Sequence, residues 1–326
     1  MIRDYNIITI GEVTIDAFMK LVHEGSSIYE DTEKGGICFP NGDKIEVDKY
    51  EFSLGGCAAN IAVGINRLGL KATLCAETGD DEFSIKIRNG LATERIERLF
   101  VNQISGASNF SVVINYKGDR TIFVQNVTRE HDFKLEDVTT DYIYLASLAR
   151  DWENPYRMAL TFLDKNPETK LAFNPGNRQL REGKKVIEKV LKKTTLLFIN
   201  KEEAEMILTG KKTHQEDKEY IKKLMIDVQK KGPKIIVLTN GEDGSYVIDQ
   251  KGKFYSEGIN EGKVVERTGA GDAYTSGFLA AFMYNKSIPE AMEWGMVNST
   301  SVVGQVGAQR GLLRKPDLEE KVASLM

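Results

Sequence analysis

Along this chain short apolar, β-rich runs alternate with longer stretches whose apolar positions recur at helical spacing. Runs at Asn6–Ile10, Ala72–Ala76, Tyr142–Ala146, Leu171–Phe173, Leu196–Ile199 and Ile235–Thr239 read as strands, and most are nearly continuous in apolar character. Strands covered on both faces have that signature. Between several of them, Val186 and Val190, and then Ile221, Leu224 and Val228, mark apolar stripes. The stripes are flanked by Lys184-Lys185, Lys192-Lys193, Lys222-Lys223 and Lys230-Lys231, which read as solvated helix faces. This is the rhythm of βαβ units and predicts an α/β fold with a mostly parallel sheet.

Two stretches break the rhythm. Phe18 to Leu54 is long, Gly-rich and charged, and Ser108 to Val127 reads as a hairpin with arms Phe110–Tyr116 and Thr121–Gln125 around Lys117-Gly118-Asp119-Arg120. Strands interrupting the chain at two places can pair outside the main sheet. We therefore expect a small β-sheet lid, one face over the site and the other apolar face available for a homodimer. The expected organisation is one domain over residues 1–326, with lid segments at about 17–54 and 104–128 inserted in the α/β core.

Composition narrows the function classes. With 41% hydrophobic residues the chain can bury an ample core, and a net charge of -4 argues against a protein built around nucleic acid. Cys38, Cys57 and Cys75 lack C-x-x-C spacing, and His23, His131 and His214 lie far apart without an H-E-x-x-H arrangement. Neither a disulfide framework nor a zinc site is indicated, and the histidines read as surface or structural. No apolar stretch approaches a membrane span, and Met1-Ile2-Arg3-Asp4-Tyr5 leads straight into a strand, so a soluble cytoplasmic protein is expected.

The candidate chemistry centres on Val264-Val265-Glu266-Arg267-Thr268-Gly269-Ala270-Gly271-Asp272-Ala273-Tyr274. Downstream, Tyr274, Gly277, Phe278, Ala281 and Phe282 have helical spacing, so the small residues open a helix. Its first N–H groups and dipole favour an anion such as phosphate, and glycines let it approach. Asp272 at that spot is either an ordinary first-turn acid or a general base acting on the nucleophile. Four further pieces join it. Asp16, in Gly11-Glu12-Val13-Thr14-Ile15-Asp16, sits at the carboxyl end of a strand and can accept hydrogen bonds from substrate hydroxyls. Gly55-Gly56-Cys57-Ala58-Ala59-Asn60 opens a helix; the glycines allow close backbone approach, and Asn60 can serve a polyol or merely cap. Asn200-Lys201-Glu202-Glu203 reads at least as a capping box. Thr239-Asn240-Gly241-Glu242-Asp243-Gly244 follows a strand and can be a simple turn. The P-loop and G-x-G-x-x-G patterns are absent.

In order, Gly11-Glu12-x-x-Ile15-Asp16, Gly55-Gly56-x-x-x-Asn60, Gly79-Asp80-Asp81-x-Phe83, Asn200-x-x-Glu203, Thr239-x-Gly241-x-x-Gly244 and Thr268-Gly269-Ala270-Gly271-Asp272 resemble the ribokinase, or PfkB-type carbohydrate kinase, family over nearly the whole chain. The resemblance implies a Rossmann-like three-layer α/β/α sandwich with a small β lid. It also implies an ATP-dependent phosphotransferase acting on a hydroxymethyl group of a sugar or sugar-like acceptor. By it Asp272 is the base, and the N–H groups of Gly269, Ala270 and Gly271 form the anion hole. Asp16, Gly55, Gly56 and Asn60 hold the acceptor. Asn200 and Glu203 organise Mg²⁺ through water, Thr239, Gly241 and Gly244 meet the nucleotide phosphates and ribose, and Asn298 lies beside the adenine. Glu266-Arg267-Thr268 departs from the usual Asp-Thr-Thr triplet, yet Glu266 keeps a carboxylate for a monovalent cation such as K⁺, with carbonyls of Gly304-Gln305-Val306-Gly307-Ala308 as partners by analogy. A nucleoside kinase on the same scaffold and a catalytically silent sugar sensor are the alternatives.

Overall fold

The structure is a computed structural model that describes residues 2–22, 27–31, 36–117, 119–210, 217–260, 262 and 264–325. His23, His214 and the turn residue Gly118 lie outside the described residues. A nine-stranded sheet forms the centre. Its spatial order is Phe254–Glu257, Ser245–Ile248, Ile235–Thr239, Thr194–Asn200, Lys170–Phe173, Val138–Leu145, Arg3–Ile10, Ala72–Thr78 and Val101–Gln103. From Ile235–Thr239 to Val101–Gln103 every pairing is parallel; the first two strands in the order join antiparallel.

The predicted strands all form, most of them longer by one to four residues at an end. Their continuous apolar runs have a direct cause. Ile7 packs in one core with Ala58, Leu74 and Phe278, whereas Ile8 and Ile10 pack in the other with Ile143, Tyr156 and Val190. Successive side chains of a strand point to opposite faces, so only a run apolar at every position serves two covered faces. Cys57–Arg67, Ala270–Met283 and Ile288–Val303 cover the first face; Glu153–Lys165, Lys184–Lys193 and Lys218–Gln229 cover the second. In Lys184–Lys193 the residues Ile187, Val190 and Leu191 are buried while the paired lysines face solvent. The fold is thus an α/β/α sandwich of the kind expected.

A separate four-stranded sheet has the order Val47–Gly55, Thr14–Leu21, Phe110–Tyr116, Asp119–Gln125. The hairpin arms pair antiparallel, with Val113 opposite Ile122, and the turn is tighter than expected: Asp119 and Arg120 belong to the second arm, opposite Tyr116 and Asn115. One row of side chains, Asp16, Ser53, Ser111 and Val124, shares a face; the adjacent row, Phe52, Ala17, Val112 and Phe123, lies on the other. The inner end of that second face is covered by helix Glu82–Thr93, where Phe83 stacks on Phe110 at 4.8 Å. Among the described residues no helix is long and apolar enough to cross a membrane.

Candidate active site

The first strand of the large sheet ends at Ile10, and the chain turns through Gly11-Glu12 into Thr14–Leu21, which carries Asp16. Thr14 Oγ1 donates to Asp16 Oδ1 at 2.9 Å. Burial pushes the Asp16 carboxyl up, partly offset by hydroxyl donors from Thr14 and Ser111. The glycine pair is explained by this loop. A Cβ on Gly55 would lie 2.6 Å from Asp16 Cγ, and Gly56, at φ 92°, has room for no Cβ because the Glu12 carbonyl oxygen is 2.5 Å from where it would sit. The close backbone approach expected of these glycines is therefore made to the Asp16 and Glu12 segment.

Asp272 stands in the first turn of Ala270–Met283, whose N-cap Gly269 adopts φ 81°. A Cβ there would be 2.5 Å from Ala308 Cβ, so the loop through residues 304–310 packs against the start of this helix. Asp272 Oδ2 accepts from Asn60 Nδ2 at 2.7 Å and Oδ1 from Cys57 Sγ at 2.9 Å. Burial raises the proton affinity of the carboxyl; Asn60 and Cys57 pull it down, and the charge of Asp16 pushes it up again. The charges of the two aspartates are thus close enough to act on each other. Of the three N–H groups assigned to an anion hole, that of Ala270 donates to Arg267 O at a long 3.3 Å. A Cβ on Gly271 would meet nothing within 4 Å, and this residue opens on a cleft.

That cleft, of about 180 Å³, is lined by Thr239, Gly241, Gly244, Ala270, Gly271 and Tyr274 together with Met296, Ser299 and Thr300. Motifs distant in sequence come together here. Gly244, at φ 86°, closes the turn between two antiparallel strands. Asn200 pairs in register with Thr239 and caps Lys201–Leu208: its Oδ1 accepts from Glu203 N at 2.9 Å, and Glu203 Oε2 accepts from Asn200 N at 3.0 Å. The capping box is therefore real, and burial pushes the Glu203 carboxyl up to about 7. Asn298 sits apart from this lining. It is fully buried, its Nδ2 donates to Ala273 O and Ser276 Oγ, and its Oδ1 accepts from Leu313 N. The amide ties two helices to the following loop and does not line the cleft; its neighbours Met296, Ser299 and Thr300 do.

Glu266 is 3% exposed. Its Oε1 accepts from Thr268 N at 2.7 Å and Thr268 Oγ1 at 2.6 Å, with Arg120 Nε of the small sheet 3.6 Å away, while Oε2 is buried without a hydrogen-bond partner. Asp81 caps Glu82–Thr93 through Ser84 N and also accepts from Ser108 N and Oγ, tying down the entry to Phe110–Tyr116. Sequence reasoning gives no role to Cys57, Gln309 or the Arg120–Glu266 pair, since each contact joins segments far apart in the chain.

The pfkB family carbohydrate kinase model matches residues 20–315. The chain belongs to this family. It is 25% identical over 334 residues to an ATP-dependent 6-phosphofructokinase of Thermoanaerobacterium thermosaccharolyticum, covering 97% of this chain and 92% of that one. Among solved structures it resembles Methanocaldococcus jannaschii nucleoside kinase (TM-score 0.75, 20% identity, 98% of each chain) and Arabidopsis thaliana ribokinase complexed with ribose and ATP (TM-score 0.79, 17% identity, 98% of each). As a PfkB-family member it is an ATP-dependent kinase of the sugar or nucleoside type.

Proposed function

We propose that this PfkB-family kinase moves the γ-phosphoryl group of ATP to a hydroxymethyl group of a sugar or sugar-like acceptor bound between Asp16 and Asp272. The observation that carries the reading is the position of Asp272: a carboxylate in the first turn of a helix whose start opens on the Thr239–Gly271 cleft, held by two donors and within reach of the Asp16 charge. Burial raises its proton affinity, as a base requires. As the acceptor oxygen bonds to phosphorus, its proton passes to Asp272 and the bond to the ADP leaving oxygen breaks. The Gly269 to Gly271 N–H groups lie where charge on the transferring group develops, and the long Ala270 to Arg267 bond is the one such an anion replaces. Asp16, fixed by Thr14 and Ser111, accepts from acceptor hydroxyls, and the small sheet acts as a lid that excludes water.

Among the described residues no cluster of three or more His, Cys, Asp or Glu side chains could hold a metal alone. Glu203 nevertheless fits Mg²⁺ brought in with the phosphates, since a cation held through water offsets the burial that pushes its carboxyl up. Mg²⁺ would there neutralise phosphate charge. The partnerless Oε2 of Glu266 fits a monovalent cation such as K⁺. The outer rows of the small sheet leave Phe52 46% and Phe123 55% exposed, which supports a homodimer through the lid.

The test is nucleotide turnover against a panel of sugars, sugar acids and nucleosides, with Mg²⁺ and with or without K⁺, for the wild type and Asp272→Asn. Acceptor-dependent turnover falling by about 10²-fold or more in the variant is expected. A near-normal rate in Asp272→Asn refutes the base assignment, and ligand binding without turnover in the wild type favours the sugar sensor.

A further inference from the structure

In sequence Asn60 reads as a ligand for a polyol or as a helix cap; in the structure both ends of its amide are engaged by side chains. Nδ2 donates to Asp272 Oδ2 at 2.7 Å, and Oδ1 accepts from Gln309 Nε2 at 2.8 Å. Asn60 is 3% exposed and Gln309 6%. An ionised carboxylate only accepts, so Asp272 demands the amide's N–H side; that orientation turns Oδ1 toward residue 309, where a donor must stand. Gln309 supplies it. Turned round, Asn60 would set its carbonyl against the carboxylate.

The segment bearing Gln309 is fixed from the same helix. Asn60 and Arg67 lie seven residues apart on Cys57–Arg67, hence on one face. Arg67 Nη1 donates to the carbonyls of Gln309 at 2.7 Å and Leu312 at 2.8 Å, while its Nε and Nη2 pair with Glu94 at 2.9 and 2.6 Å. One end of the helix therefore holds Asp272, and the other clamps the loop that returns Gln309 to Asn60.

We infer that Gln309 is a positioning residue for this enzyme: acting through Asn60, it fixes which group Asp272 receives at Oδ2 and so holds the carboxylate in its reactive orientation. This rests on the reading of Asp272 as the base. Among the described residues the charged and titratable groups that feel Asp272 are the Cys57 thiol, held protonated by burial and by the Asp272 charge, Asp16, and the buried Tyr144 hydroxyl, held protonated in the same way; Glu12 and Glu203 act on Cys57 from further away. Of the donors to Asp272 only Asn60 depends on Gln309 for its orientation.

The experiment follows the Asp272 side-chain carboxyl by carbon-13 NMR across pH, its resonance assigned by its loss in Asp272→Asn, in the wild type, Gln309→Met and Gln309→Glu. Methionine keeps the volume and removes the donor; glutamate keeps the shape and replaces the donor by an acceptor, which turns the Asn60 amide round. Losing the N–H donor favours the protonated acid, so the Asp272 midpoint should rise by about one pH unit in Gln309→Met and further in Gln309→Glu. The turnover number should fall by about 10- to 100-fold in Gln309→Met while both KM values stay within about twofold, the acid limb of the pH–rate profile moving up with the midpoint. An unchanged midpoint in whichever variant folds, or equal losses in KM and turnover, overturns the inference. Normal turnover in Asp272→Asn would instead defeat the base assignment, and the titration would still decide whether Gln309 governs this carboxyl.

Discussion

Replacing Gly55 by alanine perturbs one side of the site only. The added Cβ would meet Asp16 Cγ at 2.6 Å and Thr14 Oγ1 at 2.8 Å, where ordinary contact begins at 3.4 Å. Gly55 is not at positive φ, so the backbone tolerates alanine, and the strain falls on the Asp16 side chain. Asp16 Oδ2 lies nearer still, so the carboxylate must retreat by at least about 1 Å, a displacement on the scale that costs a bound reaction about 100-fold, or about 3 kcal/mol of transition-state stabilisation. Steady-state kinetics should show that loss in kcat/KM for the acceptor, while calorimetric affinity for ATP stays near the wild-type value because Thr239, Gly241 and Gly244 are elsewhere. The double variant with Asp16→Ala decides the mechanism. Without a carboxylate to displace, Gly55→Ala should add nothing to the loss from Asp16→Ala alone. Acceptor kcat/KM within twofold of wild type in Gly55→Ala, or losses that multiply in the double variant, would refute the reasoning.

Two other expectations follow from the same structure. Burial lowers the proton affinity of His131, but Glu77, accepting at 2.7 Å, outweighs it and the imidazole titrates above its ordinary value. The pair then contributes stability that is full below the unfolded His value of about 6.5 and lost as pH rises through the folded one; His131→Gln should cost about 1.5 kcal/mol in urea unfolding near pH 6, and a cost that does not shrink as pH rises would sink the assignment. If two copies meet through the lid, sedimentation should give a dimer that Phe123→Glu dissociates without changing the melting temperature much, whereas a monomeric wild type at micromolar concentration would remove the lid interface.

The central strands are legible because a buried parallel sheet needs apolar residues on both faces, and Ile7, Ile8 and Ile10 satisfy that locally. The short edge strands Val101–Gln103 and Phe254–Glu257 carry no such mark; they are three and four residues long, and neighbours rather than pattern define them. The Gly55-Gly56 and Gly269 positions stand out because turns and close approaches select glycine in sequence. Asn298 is not legible because an asparagine in a helix carries no sign of whether its amide faces a ligand or a carbonyl such as Ala273 O. Gln309 is invisible for the same reason, and its partner Asn60 lies at the other end of the chain.

The order in which the small sheet's strands occur has a kinetic consequence. Thr14–Leu21 pairs in parallel with Phe110–Tyr116, Ile15 opposite Phe110, and between them in sequence lie helix Cys57–Arg67 and the large-sheet strand Ala72–Thr78. Closing that loop costs chain entropy which local contacts cannot repay in advance, so the small sheet forms only after the segment it spans has docked. The two outer strands, exposed along residues 47–49 and 121–125, can then fray while Ile15 stays in the main core, and amide exchange in them belongs to a faster class than that in Arg3–Ile10.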